Sequence, residues 1–419
     1  MDAATTNLKP LQKSERMIIL DFIRGIAIFG ILIVNMAWFN APLFAQMGDM
    51  VFWDDLPNRI ARLFILLFFE SKFYPLFAVL FGIGFYFFIR KASDNLRPVV
   101  FRYRMRLLYL LIFGILHVVF LWHGDILIIY ALFGFVMTWF HKSSDRTLLV
   151  VAGVFVLLPI VMVAGLVALL QLAMHIPEAA EPIKMSFAEQ EKYAAAFVER
   201  AVQVYRTGSF GEIMRVRLTD YTHSLNGILF IFPNIVSLFL IGFYMGRKQV
   251  FQDIPNALRI LKKVFYWCLP IAIVFTSLYA YASMTYSMMM PSWGMLMIIS
   301  GSIIGGMAQM FVYLYLLTLA YHKGIFRKLA DAIAKVGRMA FTNYLMQSVI
   351  CTTIAFSYGL GLYGQINYWQ GILLTVLIYA VQVVWSHYWL NHFRFGPFEW
   401  LWRTLTYGKI QPMRLEENR

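Results

Sequence analysis

The sequence predicts an all-α, polytopic integral membrane protein: a helical bundle of about ten transmembrane helices, eleven or twelve if its second segment is broken, with both termini cytoplasmic. Three observations predict it. Of the 419 residues, 60% are hydrophobic and 14% charged, where a soluble domain is nearer half apolar and about a quarter charged. Apolar runs of about 18 or more residues recur along the chain without the alternation that barrel strands need. The lysines and arginines also fall mainly on one side once those runs are threaded through a bilayer.

The first run, near residues 17–40, follows Lys9, Lys13 and Arg16 and so imitates a signal peptide. It carries Asp21 and Arg24 and lacks a small-residue exit, which makes it a retained first helix. The second segment, 60–90, is too long for one span. Glu70, Ser71 and Lys72 interrupt its middle and Pro75 follows, which suits a broken helix that crosses once or three times. Further spans are expected near 102–122, 125–141, 147–173, 224–246, 260–284, 293–320, 336–358 and 367–391. The hydrophilic stretch 174–223, with "AEQEKYAAAFVERAVQVYRTGSF", has the composition of helices lying on the outer surface. The chain therefore divides into an N-terminal transmembrane half (1–173) carrying the candidate active-site helices, an extracytoplasmic loop (174–223) and a C-terminal transmembrane half (224–419).

In this threading the inner segments hold 26 of the 36 lysines and arginines and the outer segments eight, while Arg24 and Lys72 lie within spans. The bias sets the orientation and explains the formal charge of +14 without nucleic acid. Cys268 and Cys351 sit inside apolar runs, so no disulfide framework or thiolate metal site follows from them, and the eight histidines do not cluster at ligand spacing. No metal and no tightly bound cofactor are expected.

Ionisable groups inside a span are functional candidates, because each costs a few kcal/mol unless paired or wet. At 100° per residue, Asp21, Arg24 and Asn35 share one stripe of the first helix over roughly 21 Å. The plain reading is an Asp21–Arg24 pair at the inner rim and an Asn35 joining two helices. In "HVVFLWHGDILIIYALFGF", His117 lies about one turn inside the outer end of its span, and His123 and Asp125 form the outer turn. A neutral histidine beside an aspartate is the equipment of a general base or proton relay. The plain alternatives are a helix–helix hydrogen bond for His117, a solvated turn for His123, and a helix cap for Asp125. At the inner face, "VGRMAFTNYLMQS" offers Arg338, Thr342, Asn343 and Gln347, and "NHFRFGPFEWLWR" offers His392, Arg394, Glu399, Trp400 and Arg403. Arginines beside aromatics there are lipid anchors or holders of cofactor phosphates.

Five blocks, "LDFIRGIAIFGILIVNM", "SKFYPLFAVLFGIGF", "RYRMRLLYLLIFGILHVVFLWHGDILIIYALFGF", "VGRMAFTNYLMQS" and "FRFGPFEWLWRTLTYG", resemble in order those of the bacterial YeiB-like family, whose C-terminal half is the domain of unknown function 418. That family looks like a branch of the transmembrane acyltransferases related to heparan-α-glucosaminide N-acetyltransferase. The resemblance maps their Asp-x-x-Arg-Gly signature onto Asp21, Arg24 and Gly25, and an asparagine near the catalytic centre onto Asn35. Their essential loop histidine has no counterpart in "MAWFNAPLFAQMGDMVFWDDL".

The resemblance implies an acyltransferase in the bacterial inner membrane that passes an acyl group from a cytoplasmic donor, acyl-CoA or a similar thioester, to an extracytoplasmic hydroxyl or amine on a small molecule, glycan or lipid. His117 or His123 would then be the base, Asp125 would orient it, and Asn35 with Lys72 would stabilise the oxyanion. Asp21, Arg24, Lys72, Arg338, Asn343, Arg394 and Arg403 would face the donor. The alternatives are a transporter or lipid-handling protein and a non-catalytic scaffold. A homo-oligomer is allowed by the sequence.

Overall fold

Apolar segments in hydrocarbon must satisfy their own backbone, and helices do so within one segment. The computed structural model describes residues 17–47, 52–90 and 97–415; the basic start with Lys9, Lys13 and Arg16 lies outside them. The described chain runs α1 (Ile18–Asn40), α2 (Leu43–Met47), α3 (Leu56–Phe68), α4 (Phe73–Ile89), α5 (Arg97–Phe120), α6 (Leu127–Met137), α7 (Asp145–Met174), α8 (Pro177–Thr207) and α9 (Phe210–Leu225). It continues with α10 (Ile228–Arg247), α11 (Ile254–Thr285), α12 (Trp293–Ser300), α13 (Gly306–His322), α14 (Arg327–Arg338), α15 (Ala340–Ala355), α16 (Tyr368–His392) and α17 (Pro397–Tyr407). A 3₁₀ turn (Thr138–Lys142) extends α6 and a π turn (Gly301–Gly305) joins α12 to α13. The fold is all-α: among the described residues the β content is one isolated bridge, Phe393 to Arg414.

Eight helical stretches are long and apolar enough to cross a membrane: α1, α3 with α4, α5, α7, α10, α11, α12 with α13, and α16. The shorter apolar helix α6 and the helix α15 fall at the two remaining expected segments. The hydrophilic stretch forms α8 and α9, and Ser209 and Glu212 close a capping box between them.

The break in the second segment falls where the charges stand. Ser71 has φ of 65°, and the last turn of α3 loses its intrahelical acceptors' partners. Side chains replace them: Lys72 Nζ donates to Leu66 O, Gln309 Nε2 to Leu67 O at 3.1 Å, and Tyr313 Oη to Phe68 O at 2.8 Å. The ammonium thereby sits at the negative end of a helix, where it is favoured. Lys72 is 1% exposed.

Most of the expected span at 336–358 is one helix, α15, and the basic segment before it forms a helix of its own, α14. The amphipathic α14 ends at Arg338, the chain turns at Met339, and α15 begins at Ala340. Backbone approach fixes this arrangement. A Cβ on Gly337 would stand 1.8 Å from Asp21 O, and one on Gly25 would stand 2.3 Å from Ile333 O. Close contact through small residues is how helices associate where no hydrophobic drive exists. Since α1 also packs on α4, α13, α15 and α16, the N-terminal and C-terminal segments share one core. Gly337→Val lowers the thermal midpoint of the detergent-solubilised protein by several degrees, a loss of at least about 2 kcal/mol from overpacking. Gly153→Val, where nothing lies within 4 Å of the new Cβ, leaves the midpoint unchanged in the same fluorescence-detected chromatography.

Candidate functional site

The α5–α6 hairpin builds the centre of the site. The last turn of α5 closes on His117, whose carbonyl takes the N–H groups of Leu121 and Trp122 at 2.8 and 3.0 Å. The chain then reverses, and Asp125 Oδ1 accepts the Ile128 N–H at 2.7 Å, starting α6. This is the helix-capping role expected for Asp125, and the second oxygen remains available. It stands 2.9 Å from His117 Nδ1, in a bent approach. Gly114 permits the closeness, because a Cβ there would meet Ile128 at 2.7 Å and Asp125 Oδ1 at 3.0 Å.

On the far side of the ring, His117 Nε2 lies 2.8 Å from Ser348 Oγ of α15. His117, Asp125 and Ser348 are 2%, 6% and 1% exposed. A carboxylate, an imidazole and a hydroxyl thus form one buried chain. Tyr344, one turn before Ser348, lies 5.2 Å from the His117 ring. The solvated turn anticipated for His123 and Asp125 is replaced by burial of both, because α9 and the end of α15 cover this end of the hairpin.

Beside this chain is a cavity of about 360 Å³. Asn35, Asp125, Tyr344, Asn234, Ser71 and Ser302 contribute its polar wall, and isoleucines and phenylalanines of α1, α4, α6, α10 and α12 contribute the rest. Asn234 Nδ2 donates to Tyr74 Oη at 2.9 Å, and the Ser71 and Ser302 hydroxyls are 2.8 Å apart. Among the described residues no hydrogen bond reaches the Asn35 amide. The lining starts at Ile31 on α1 and does not include Asp21 or Arg24. Of the stripe Asp21, Arg24 and Asn35, only Asn35 lines this cavity; around Gly25, α14 packs on α1 and Tyr379 donates to Gly25 O at 2.8 Å.

The donor-side candidates lie apart from the cavity. Arg24 Nη1 pairs with Asp21 Oδ1 at 2.8 Å and approaches Gly337 O at 3.5 Å. Arg338 Nη2 donates to Arg394 O at 2.7 Å, and the Arg403 guanidinium lies 4.5 Å from the Phe395 ring. Asn343 is fully buried and bonds Val336 O at 3.2 Å and Ser386 Oγ at 3.0 Å. Glu399 caps α15, accepting from Phe341 N at 2.7 Å and Thr342 N at 3.0 Å. Among the described residues no group of three or more histidine, cysteine, aspartate or glutamate side chains is placed to hold a metal.

The chain is 35% identical to the uncharacterized protein YxaH of Bacillus subtilis (strain 168), over 97% of this chain and 98% of that protein. It belongs to the YeiB-like family. The uncharacterized protein YeiB of Escherichia coli (strain K12) is 27% identical over 95% and 98% of the two chains. An uncharacterized 39.9 kDa protein in the amylase 3′ region of Bacillus acidopullulyticus is 26% identical over 98% and 99%. A family model described as a protein of unknown function (DUF418) matches residues 245–409. No solved structure matches the chain.

Ser348, Tyr344, Arg217 and Asp220 were not singled out from the sequence. Ser348 ends the quoted block "VGRMAFTNYLMQS", where a serine in an apolar run signals little by itself. Arg217 and Asp220 lie in the hydrophilic stretch, where charges are ordinary. In this family member both are fully buried. Arg217 Nη1 donates to Val119 O at 2.6 Å, on α5 two residues past His117, and Tyr205 donates to Asp220 Oδ2 at 3.0 Å.

Burial pushes the Asp220 carboxyl up to about 7, against the lowering effect of the Tyr205 hydroxyl and the Leu43 N–H. The folded state then holds a proton that the unfolded chain releases near pH 4. The stabilisation is complete below that pH and is lost as pH rises through about 7. Hydrogen exchange in α9 therefore accelerates between about pH 4 and 7 beyond the intrinsic chemical rate, and Asp220→Asn abolishes that excess.

Proposed function

We propose that this chain is a membrane-embedded acyltransferase working through Ser348, His117 and Asp125. One observation carries the reading: a fully buried imidazole has a carboxylate oxygen at 2.9 Å from one nitrogen and a serine hydroxyl at 2.8 Å from the other. Such a constellation is recognised by geometry and roles, whatever its order in the chain. The likeness of the first helix to the acetyltransferases, Asp21, Arg24, Gly25 and Asn35, supports the same class.

In the proposed reaction Ser348 Oγ attacks the carbonyl carbon of an ester or thioester, and its proton passes to His117 Nε2. Asp125 stabilises the imidazolium. As the tetrahedral adduct collapses, the leaving alcohol or thiol takes that proton and the acyl group remains on Ser348. An acceptor hydroxyl or amine, the extracytoplasmic one of the sequence reading, then attacks the acyl-serine. It gives its proton to His117, which returns it to Ser348. Asn35, whose amide lines the cavity without a hydrogen bond among the described residues, is the donor for the substrate carbonyl oxygen. Tyr344 borders both the cavity and His117, so its ring must swing for substrate to reach Ser348.

His123 has no place in this scheme, since among the described residues no hydrogen bond reaches either of its ring nitrogens. Lys72 is committed to Leu66 O. Donor entry from the cytoplasm, with phosphates held by Arg338, Arg394 and Arg403, draws support from the cationic inner rim alone. A second reading, lipid handling without chemistry in the same membrane, is favoured by the apolar cavity.

The test is turnover of p-nitrophenyl octanoate by protein in nanodiscs, with water or added glycerol as acceptor. His117→Ala and Ser348→Ala each reduce turnover about a thousandfold at an unchanged elution profile. Retained turnover in either variant overturns the scheme.

A further inference from the structure

The acyl-transfer reading leaves the donor's class open, and the cavity narrows it. Its wall at α10 and α12 reaches the outside of the bundle. Ile231, which lines it, is 40% exposed, and the neighbouring Leu229 is 66% exposed. Both lie on a helix long and apolar enough to span a membrane, so the mouth faces hydrocarbon rather than water. The opposite lip is Ile299, one turn before the π turn Gly301–Gly305. Such turns interrupt helices mostly at functional positions, because they break the regular ladder at a cost.

Inside, the chemistry is that of one amphipathic guest. Apolar side chains dominate the wall, and a cavity of about 360 Å³ falls within the range of small-ligand sites. At the end near Asp125 and Tyr344, the Asn35 amide lines the cavity without a hydrogen bond among the described residues. A primary amide in hydrocarbon is costly unless something accepts from it. An ester carbonyl at the head of an acyl chain fits that need, and the chain itself fits the isoleucine- and phenylalanine-lined remainder.

We infer that the cavity is a binding site for one acyl chain of a bilayer lipid, which enters sideways between α10 and α12 and presents its ester carbonyl to Asn35. This rests on the acyl-transfer reading only for what happens next, since the site itself requires no chemistry. A lipid is the committed source, and acyl-CoA is the competing one. The cavity lining excludes Arg24 and the other inner cations, so nothing on its wall would hold the phosphates of a coenzyme.

The experiment uses the full chain in nanodiscs made with phosphatidylethanolamine carrying a diazirine on one acyl chain. A parallel sample receives diazirine-labelled acyl-CoA in unlabelled nanodiscs. After irradiation, cross-linked peptides are mapped by mass spectrometry. The lipid probe is expected to label cavity-lining positions of α10 and of the π turn after α12, at Phe230, Ile235 or Ile303. Labelling falls about tenfold or more in Ile231→Trp, which narrows the mouth at an exposed position without disturbing the core. Asn35→Leu, which removes the amide, lowers it independently.

Lipid labelling confined to exposed faces of α7 and α11, and indifferent to Ile231→Trp, overturns the inference. So does labelling of the cavity by acyl-CoA in preference to the lipid. Cavity labelling by lipid together with full ester turnover in His117→Ala leaves the lipid site standing and overturns the acyl-transfer reading. Loss of ester turnover in His117→Ala without cavity labelling overturns the lipid site alone.

Discussion

Hydrocarbon offers no hydrogen bonds, so a polar side chain that this protein buries is costly unless another part of the chain meets it, and the positions of its helices follow from the meetings that are made. His117 joins α5 to α6 through Asp125 and to α15 through Ser348. Lys72, Gln309 and Tyr313 join the broken end of α3 to α4 and α13. The close backbone contacts at Gly25 and Gly337 let α14 lock onto the inner end of α1, which holds α1 against the helices carrying the site. Removing one member of such a pair leaves its partner buried and unsatisfied, which is costlier than never having made the pair.

The two halves of the account differ in what the environment does to chemistry. The His117 chain is buried, and Asp125 carries it to the wall of the cavity. The cavity itself is mostly apolar, and among the described residues no hydrogen bond reaches the Asn35 amide on its wall. Tyr344 lines the cavity and lies 5.2 Å from the His117 ring. A site of this form can hold its guest by the apolar chain and meter access to the reactive groups by one ring.

The bundle was legible in the sequence because its signals are local. Apolar run length marked the eight long apolar stretches, Glu70–Lys72 with Pro75 marked the break, and the charged helical composition of 174–223 marked α8 and α9. The helix in the basic segment before 336–358 was hidden: it forms the amphipathic α14 ahead of α15. His117 and Asp125 were legible as a pair because a hairpin brings nearby residues together. Ser348 was not, because its meaning depends on a contact across 231 positions of sequence. The burial of His123, Arg217 and Asp220 was likewise invisible: charge in a hydrophilic stretch reads as solvated, and here α9 folds its charged face against the end of α5. The stripe on α1 was read as a single path, whereas Arg24 turns to Asp21 and only Asn35 meets the cavity.

What sets this arrangement apart from a merely structural polar cluster is whether His117 activates Ser348. Labelling of the membrane-embedded protein with an alkyl fluorophosphonate, followed by peptide mass spectrometry, reads that activation directly, because the reagent reacts with serine hydroxyls made nucleophilic by a base. Modification is predicted at Ser348, absent at the other serines and lost in His117→Ala. A folded protein in which Ser348 stays unmodified, or is modified equally without His117, would contradict the account.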